Sequence, residues 1–384
     1  MLYDVCIVGA GLAGLETAGL LSGHGISVLL VDRKSDLKSL VHTTGIFVRK
    51  TLEDFDLPER FLGPPVRQVR LYSPRGKALP LSSPHDEFRV GRMGALYEYL
   101  LGQAQARGCI WSPRTRFLGA SQSTRGSIVT LETDGTQYQI ECRLLVGADG
   151  ARSRVSPALG LSSNREWIVG AEEVWEGTAV QGEPAFHCFL DARLAPGYLA
   201  WVVNDGEEVH VGVGGYGDRF HVSSALEQFK VRVAGVVDWG SGSLVEKRGG
   251  RIPVGGLLRR LSSSKGLLIG DAAGAVSPLT AGGLDGAMRL SRYAASVAAA
   301  YLNTGDASIL EAYSGEQFHG RLISRQWMRR VMAGLNSQWV LEAGCAALRL
   351  PLGRDFAWQV FFGRASFPDP LTVKGRDLSL MTNR

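Results

Sequence analysis

The 384-residue sequence holds only five cysteines, at positions 6, 109, 142, 188 and 345. None stands at metal-ligand or redox spacing, so no metal centre is expected, and an odd, scattered set suits a reducing compartment. No uncharged apolar run reaches the roughly 18 residues that a membrane-spanning helix needs. Segment 1–14 lacks a basic start followed by a long apolar stretch, which argues against a secretory leader. Dense Lys/Arg blocks are missing as well, so nucleic acid is not an expected partner. Neither a Ser/His/Asp arrangement nor a zinc spacing is present to supply chemistry. These absences imply a cytoplasmic protein, in solution or peripheral at a membrane surface.

Glycine, by contrast, is abundant at 49 residues and shows no fixed period. That pattern points to tight turns and close backbone approach rather than a fibre. Hydrophobic residues make up 45% of the chain and charged residues 21%, enough for a large core. The length suggests two intertwined domains. The net charge of +5 sits entirely in residues 316–384, where ten Lys/Arg meet five Asp/Glu.

Along the chain, residues 3–8 read as a buried parallel strand, followed by a glycine turn, a helix to about 24, and a second apolar strand over 26–31. A helix is expected over 95–107. Residues 128–131 and 138–140 alternate around Asp134-Gly135, a hairpin signal, and 144–147 form another buried strand. From 167 to 215 the pattern is strand-like, then a helix is expected over 223–236. Strand 267–269 leads through glycines into an alanine-rich helix to about 301, and the rest is mostly helical.

Three stretches carry the chemistry. Gly9-Ala10-Gly11-Leu12-Ala13-Gly14 follows a strand and opens a helix. Gly9 makes the tight turn, Gly11 admits a pyrophosphate, and Gly14 lets the helix pack on the strand. Asp32 ends the next strand, where an acid bonds the adenosine ribose. Arg33 and Lys34 follow it, either as a solvated turn or as a phosphate contact. Next come Gly147-Ala148-Asp149-Gly150 and Gly270-Asp271-Ala272-Ala273-Gly274, each closing a buried strand. A carboxylate there meets ligand, or caps a helix. Asp271 is placed for a polyol chain such as ribityl. Ala281, Gly282 and Gly283 leave room for a flat ring, and the helix opening at Leu284 and Asp285 supplies amides and a positive dipole end.

Together these motifs resemble the FAD-dependent superfamily built on the para-hydroxybenzoate hydroxylase-like fold. The resemblance implies that FAD contacts all three, and that Arg92, ahead of a helix, touches the flavin. Within that superfamily the chain is similar to the geranylgeranyl reductase family. Pro196 and Trp201 match its PxxYxWxFP motif in identity and spacing, while Leu199, Val203 and Asn204 replace its Tyr, Phe and Pro. Thr43-Thr44-Gly45 stands where that family has a Cys-Gly-Gly turn.

The implied fold is α/β, or α+β in a two-domain flavoprotein: a Rossmann-like FAD-binding domain, an inserted antiparallel-sheet substrate domain and a helical C-terminal region. The FAD domain takes 1–65, 91–165 and 256–310, the substrate domain 66–90 and 166–255, and the C-terminal region 311–384. The implied function is hydride transfer from reduced FAD to a double bond of an apolar isoprenoid, with electrons from NAD(P)H or a protein donor. The alternatives are a monooxygenase or halogenase using O2, and an electron carrier or non-catalytic FAD-binding protein. Trp201, His42 and Thr44 are the candidate catalytic residues. Trp201 either lines a substrate cavity or fills the sheet. The aromatic, basic C-terminal segment either packs on the FAD domain or contacts a membrane surface.

Overall fold

The structure is a computed structural model in which residues 2–39 and 41–363 are described. Residues 364–384, the end of the expected C-terminal region, lie outside the described residues.

Residues 2–8 form a strand because they are apolar almost without interruption, and from Val5 to Val8 they are buried on both faces. This Leu2–Val8 strand pairs in parallel with Thr136–Gly147 on one side and Val28–Val31 on the other. Gly266–Leu268 extends the parallel run beyond Thr136–Gly147. Among the described residues the first sheet has eight strands. Helices Leu12–Gly23 and Leu284–Thr304 share its core. Asp134 and Gly135, at φ +50° and +81°, make the expected turn between Ser127–Thr133 and Thr136–Gly147. The hairpin arm at 138–140 and the buried strand at 144–147 prove to be one 12-residue strand. Its outer end is exposed and its inner end buried, so hydrophobicity alone splits it in two.

The second sheet has seven strands, in the order Ser243–Pro253, Trp167–Glu176, Glu208–Gly215, Ala200–Asn204, Ala185–Phe189, Gln68–Tyr72 and Ala78–Ser82. It is antiparallel except between Ala185–Phe189 and Gln68–Tyr72. Val209, Val211 and Val213 pack with Phe229 of helix Val222–Arg232 on one face. The alternate residues His210, Gly212 and Gly214 point the other way. Ser243–Pro253 is largely exposed, so no apolar signal marks it, yet it pairs along the whole of Trp167–Glu176.

Helices His319–Gly334, Gln338–Ala347 and Pro351–Phe362 follow. Ala357 and Phe362 join the core of the second sheet, with Val69, Leu71 and Cys188. Phe318 and Leu322 join the core of the first. The segment therefore packs, but largely on the substrate-side sheet rather than on the FAD side alone. It also leaves Trp327, Trp339 and Leu352 64%, 73% and 85% exposed. No helix among the described residues is long and apolar enough to cross a membrane.

Candidate cofactor and substrate site

The two sheets and the C-terminal helices enclose one cavity of about 2500 Å³. Small-molecule sites usually measure about 300–1,000 Å³, so this one has room for more than one ligand.

One wall is main chain. Gly9, at φ +108°, lies so close to Ala148 that a Cβ would overlap its carbonyl. A Cβ at Gly14 would overlap the carbonyl of Gly9, which makes Gly14 a packing residue behind the wall. Gly11 differs: a Cβ there would meet nothing within 4 Å, and the residue lines the cavity. Gly11 is also the N-cap of Leu12–Gly23, and no side chain caps that helix. Its first amides are left as donors for an anion.

Asp32 holds the turn together. Its carboxylate accepts from the Ala10 amide at 2.7 Å and from the Lys34 amide at 2.9 Å. Arg33 and Lys34 line the same end of the cavity, and burial lowers the Lys34 ammonium from its ordinary value. Asp149 works as a helix cap: its Oδ2 accepts from the Arg154 and Val155 amides at 2.6 and 3.1 Å. Its Oδ1 is buried with no protein partner. Gly150 follows at φ +81°.

Asp271 lines the middle of the cavity beside Gly270, where burial pushes its carboxyl up to about 6. A Cβ on Gly283 would stand 3.3 Å from Asp271 Oδ1, and one on Gly282 3.5 Å from Thr280 Oγ1. Gly283 is the N-cap of Leu284–Thr304, again without a side-chain cap. Asp285, in the first turn of this helix, accepts from Thr51 Oγ1 at 2.8 Å and from Arg289 Nε at 2.9 Å.

These features fit FAD. Two uncapped helix N-termini, open space at Gly11 and a buried acid between them suit one long anionic ligand with a polyol in its middle. Arg92 is not among the residues that line this cavity, and its guanidinium lies 2.8 Å from Glu207, on the turn before Glu208–Gly215.

The opposite wall is made of side chains. Strand register sets Leu71 beside Cys188, Cys188 beside Trp201, Trp201 beside Gly212, Gly212 beside Glu172 and Glu172 beside Arg248. All of this row face the same way. Trp201 does line the cavity, yet it is only 8% exposed. Its indole lies across Gly212, where any Cβ would overlap the ring, and Nε1 donates to Glu172 Oε2 at 2.8 Å. Glu172 Oε1 lies 3.3 Å from both His210 Nδ1 and Arg248 Nη1, and His210 Nε2 lies 3.3 Å from Asp205.

Burial by itself would raise the Glu172 carboxyl. The hydrogen bond and charge of His210, the charge of Arg248 and the Thr44 hydroxyl outweigh it and hold the group near 2. Burial would lower His210, but its bonds to Asp205 and Glu172 raise it to about 9. This charged cluster was not expected. Its signals were an acid inside an apolar strand and glycines at alternate positions, 212 and 214, of another.

Thr44 donates its hydroxyl to Glu172 Oε2. His42 lines the cavity on the same loop, and burial together with Lys34 and Arg33 lowers its pKa. A neutral imidazole accepts a proton more readily than it gives one.

The family of the FAD binding domain matches residues 2–218. Digeranylgeranylglycerophospholipid reductase 1 of Methanothermobacter thermautotrophicus is 29% identical over 316 residues, covering 79% of this chain and 78% of its own. The protein of the same name from Methanococcoides burtonii is 26% identical over 331 residues, covering 81% and 78%. The crystal structure of a geranylgeranyl bacteriochlorophyll reductase-like protein from Thermoplasma acidophilum superposes with a TM-score of 0.82 at 19% identity, covering 95% of this chain and 97% of that one. With over half its length matched, the chain belongs to the FAD binding domain family, and it is an FAD-dependent oxidoreductase.

Proposed function

We propose that this protein reduces carbon–carbon double bonds of a long isoprenoid-type chain, using FAD as the hydride carrier. The observation that carries this is the continuation of the cavity beyond the glycine wall. It runs on between the second sheet and the C-terminal helices, past Leu71, Phe88, Phe186, Leu199, Met328 and Phe356. A prenyl chain gains about 0.8 kcal/mol per buried methylene in such a lining. A small polar aromatic would leave most of this apolar lining unused. The two reductases similar to this chain act, by their names, on a digeranylgeranylglycerophospholipid, which supports the reading.

Gly9, Gly11 and the Leu12 helix end would hold the pyrophosphate, Asp32 the adenosine ribose, and Asp271 the ribityl chain. Gly282, Gly283 and Leu284 would lie under the ring, with Asp149-Gly150 closing the site. Bound and reduced, FAD supplies a hydride. The residues of the chain keep water out, and Trp201 and Thr44 orient the alkene. The accompanying proton comes from water or a side chain of the 42–44 loop. Electrons arrive from NAD(P)H or a protein donor. Trp327, Val331, Val340 and Phe356 both line the cavity and are exposed, which marks its mouth. With Arg330 and Arg354 exposed nearby, this mouth would rest on a lipid surface.

The test uses FAD-loaded protein, reduced without oxygen and mixed with a lipid bearing unreduced prenyl chains. One H2 should be added per double bond as the flavin reoxidises. A product that gains oxygen or halogen, and forms only in air, would replace this reading with a monooxygenase or halogenase. Flavin cycling with an unchanged lipid would point to an electron carrier.

A further inference from the structure

The loop 41–45 belongs to the cofactor side of the molecule, yet its polar contacts run to the second sheet. Val41 donates its amide to Glu246 Oε1 at 3.0 Å. Arg248 donates to the Thr43 carbonyl at 3.0 Å. Thr44 donates its hydroxyl to Glu172 Oε2, the same oxygen that receives the Trp201 indole N–H at 2.8 Å. One carboxylate oxygen thus joins the two opposite walls of the cavity.

We propose that Glu172 is a positioning residue that locks the Thr44 loop to the Trp201 wall and so fixes the gap through which the chain to be reduced passes. The word "reduced" rests on the function proposed above; the lock itself rests only on these contacts. Three features build it. Gly212 removes the side chain that would stand between Trp201 and Glu172, so the indole can cross a whole strand to reach the carboxylate. Arg248 and His210 face Glu172 from the two neighbouring strands, and Asp205 balances His210 from behind. With these partners Glu172 bridges as an anion, and hydrogen bonds to an ionised acceptor are about twice as strong as neutral ones. A fold needing only stability has no use for such a device, because a buried ion pair commonly stabilises no better than an apolar replacement of the same volume.

The test compares FAD-loaded wild type with Glu172→Gln, Trp201→Phe and Thr44→Val. The first readout is amide hydrogen exchange of residues 42–46. Glu172→Gln should speed it by roughly tenfold, as expected for a lost charge-assisted bond, with FAD content and circular dichroism unchanged. The second is turnover of a prenyl lipid. Glu172→Gln and Trp201→Phe should each raise KM by roughly tenfold, and the double variant should be no worse than either, because both break one lock. Loop exchange within about twofold of wild type, or KM effects that simply multiply, would overturn the proposal. If wild type reduces no prenyl lipid, the proposed function fails and loop exchange alone decides the lock. If Glu172→Gln does not fold, Thr44→Val decides by the same exchange, since it removes one bridging bond and spares the ion cluster.

Discussion

The cofactor side of the cavity is built from main chain, and the substrate side from side chains spread over six strands. On the cofactor side the chemistry comes from what is missing: no Cβ at Gly11, no side-chain cap on either helix. A site of that kind binds what backbone amides bind, an extended anion, and tolerates almost no addition. On the substrate side each contact depends on a partner strand, so one substitution reshapes the pocket without emptying the cofactor site. Substitutions in the main-chain wall should therefore abolish function, and those in the side-chain wall should retune it.

The largest effect should come from Gly11→Leu. Its side chain has open space, so the protein should fold, yet it would fill the volume assigned to the pyrophosphate. Purified protein should carry no flavin by its visible absorbance, and full flavin occupancy would remove the main-chain account of that wall. Trp201→Ala should come next. Removing a buried tryptophan costs about 3–5 kcal/mol of stability, measurable by urea unfolding, while the flavin-to-protein ratio stays at the wild-type value. If flavin were lost as well, the two walls would not be separable.

Asp271→Ala should weaken FAD binding by roughly tenfold, the loss of one or two polyol hydrogen bonds, read by equilibrium dialysis of the flavin. Unchanged affinity would mean the ribityl chain lies elsewhere.

The smallest effect concerns pH. His210 is raised from an ordinary 6.5 to about 9. A raised basic group stabilises the fold fully below its unfolded value and loses that contribution as pH climbs to the folded one. Wild type should therefore lose melting temperature between about pH 6.5 and 9, and His210→Gln should flatten that part of the curve. Equal slopes in both proteins would mean that His210 is not held charged.

The cofactor wall was legible because its parts are contiguous. Gly9 to Gly14 is one turn and one helix start, and the meaning of each glycine follows from local geometry. Asp134-Gly135 set the hairpin for the same reason. The pairing of Arg92 with Glu207 was not legible, because the two stand more than a hundred residues apart in sequence. Ser243–Pro253 escaped notice because an exposed, polar edge strand carries no apolar alternation. The 144–147 strand and its hairpin arm looked separate because burial changes midway along one strand.

The sequence by itself determined that a strand–glycine–helix unit of the dinucleotide-binding kind opens the chain, that acids close two further strands, and that an apolar sheet segment including Trp201 lies between them. Short-range backbone geometry and hydrophobic periodicity decide these things, and both are written locally. Only the tertiary structure decided that Trp201 donates to Glu172 across an empty glycine position, that Arg248 and His210 keep that acid charged, and that Thr44 closes the bridge from the other side. Strand register brings residues 172, 201, 210, 212 and 248 to one spot, and the loop ahead of strand Ile46–Val48 brings Thr44 to it. Register is a property of the whole sheet, fixed by which faces are buried, and no single segment contains it.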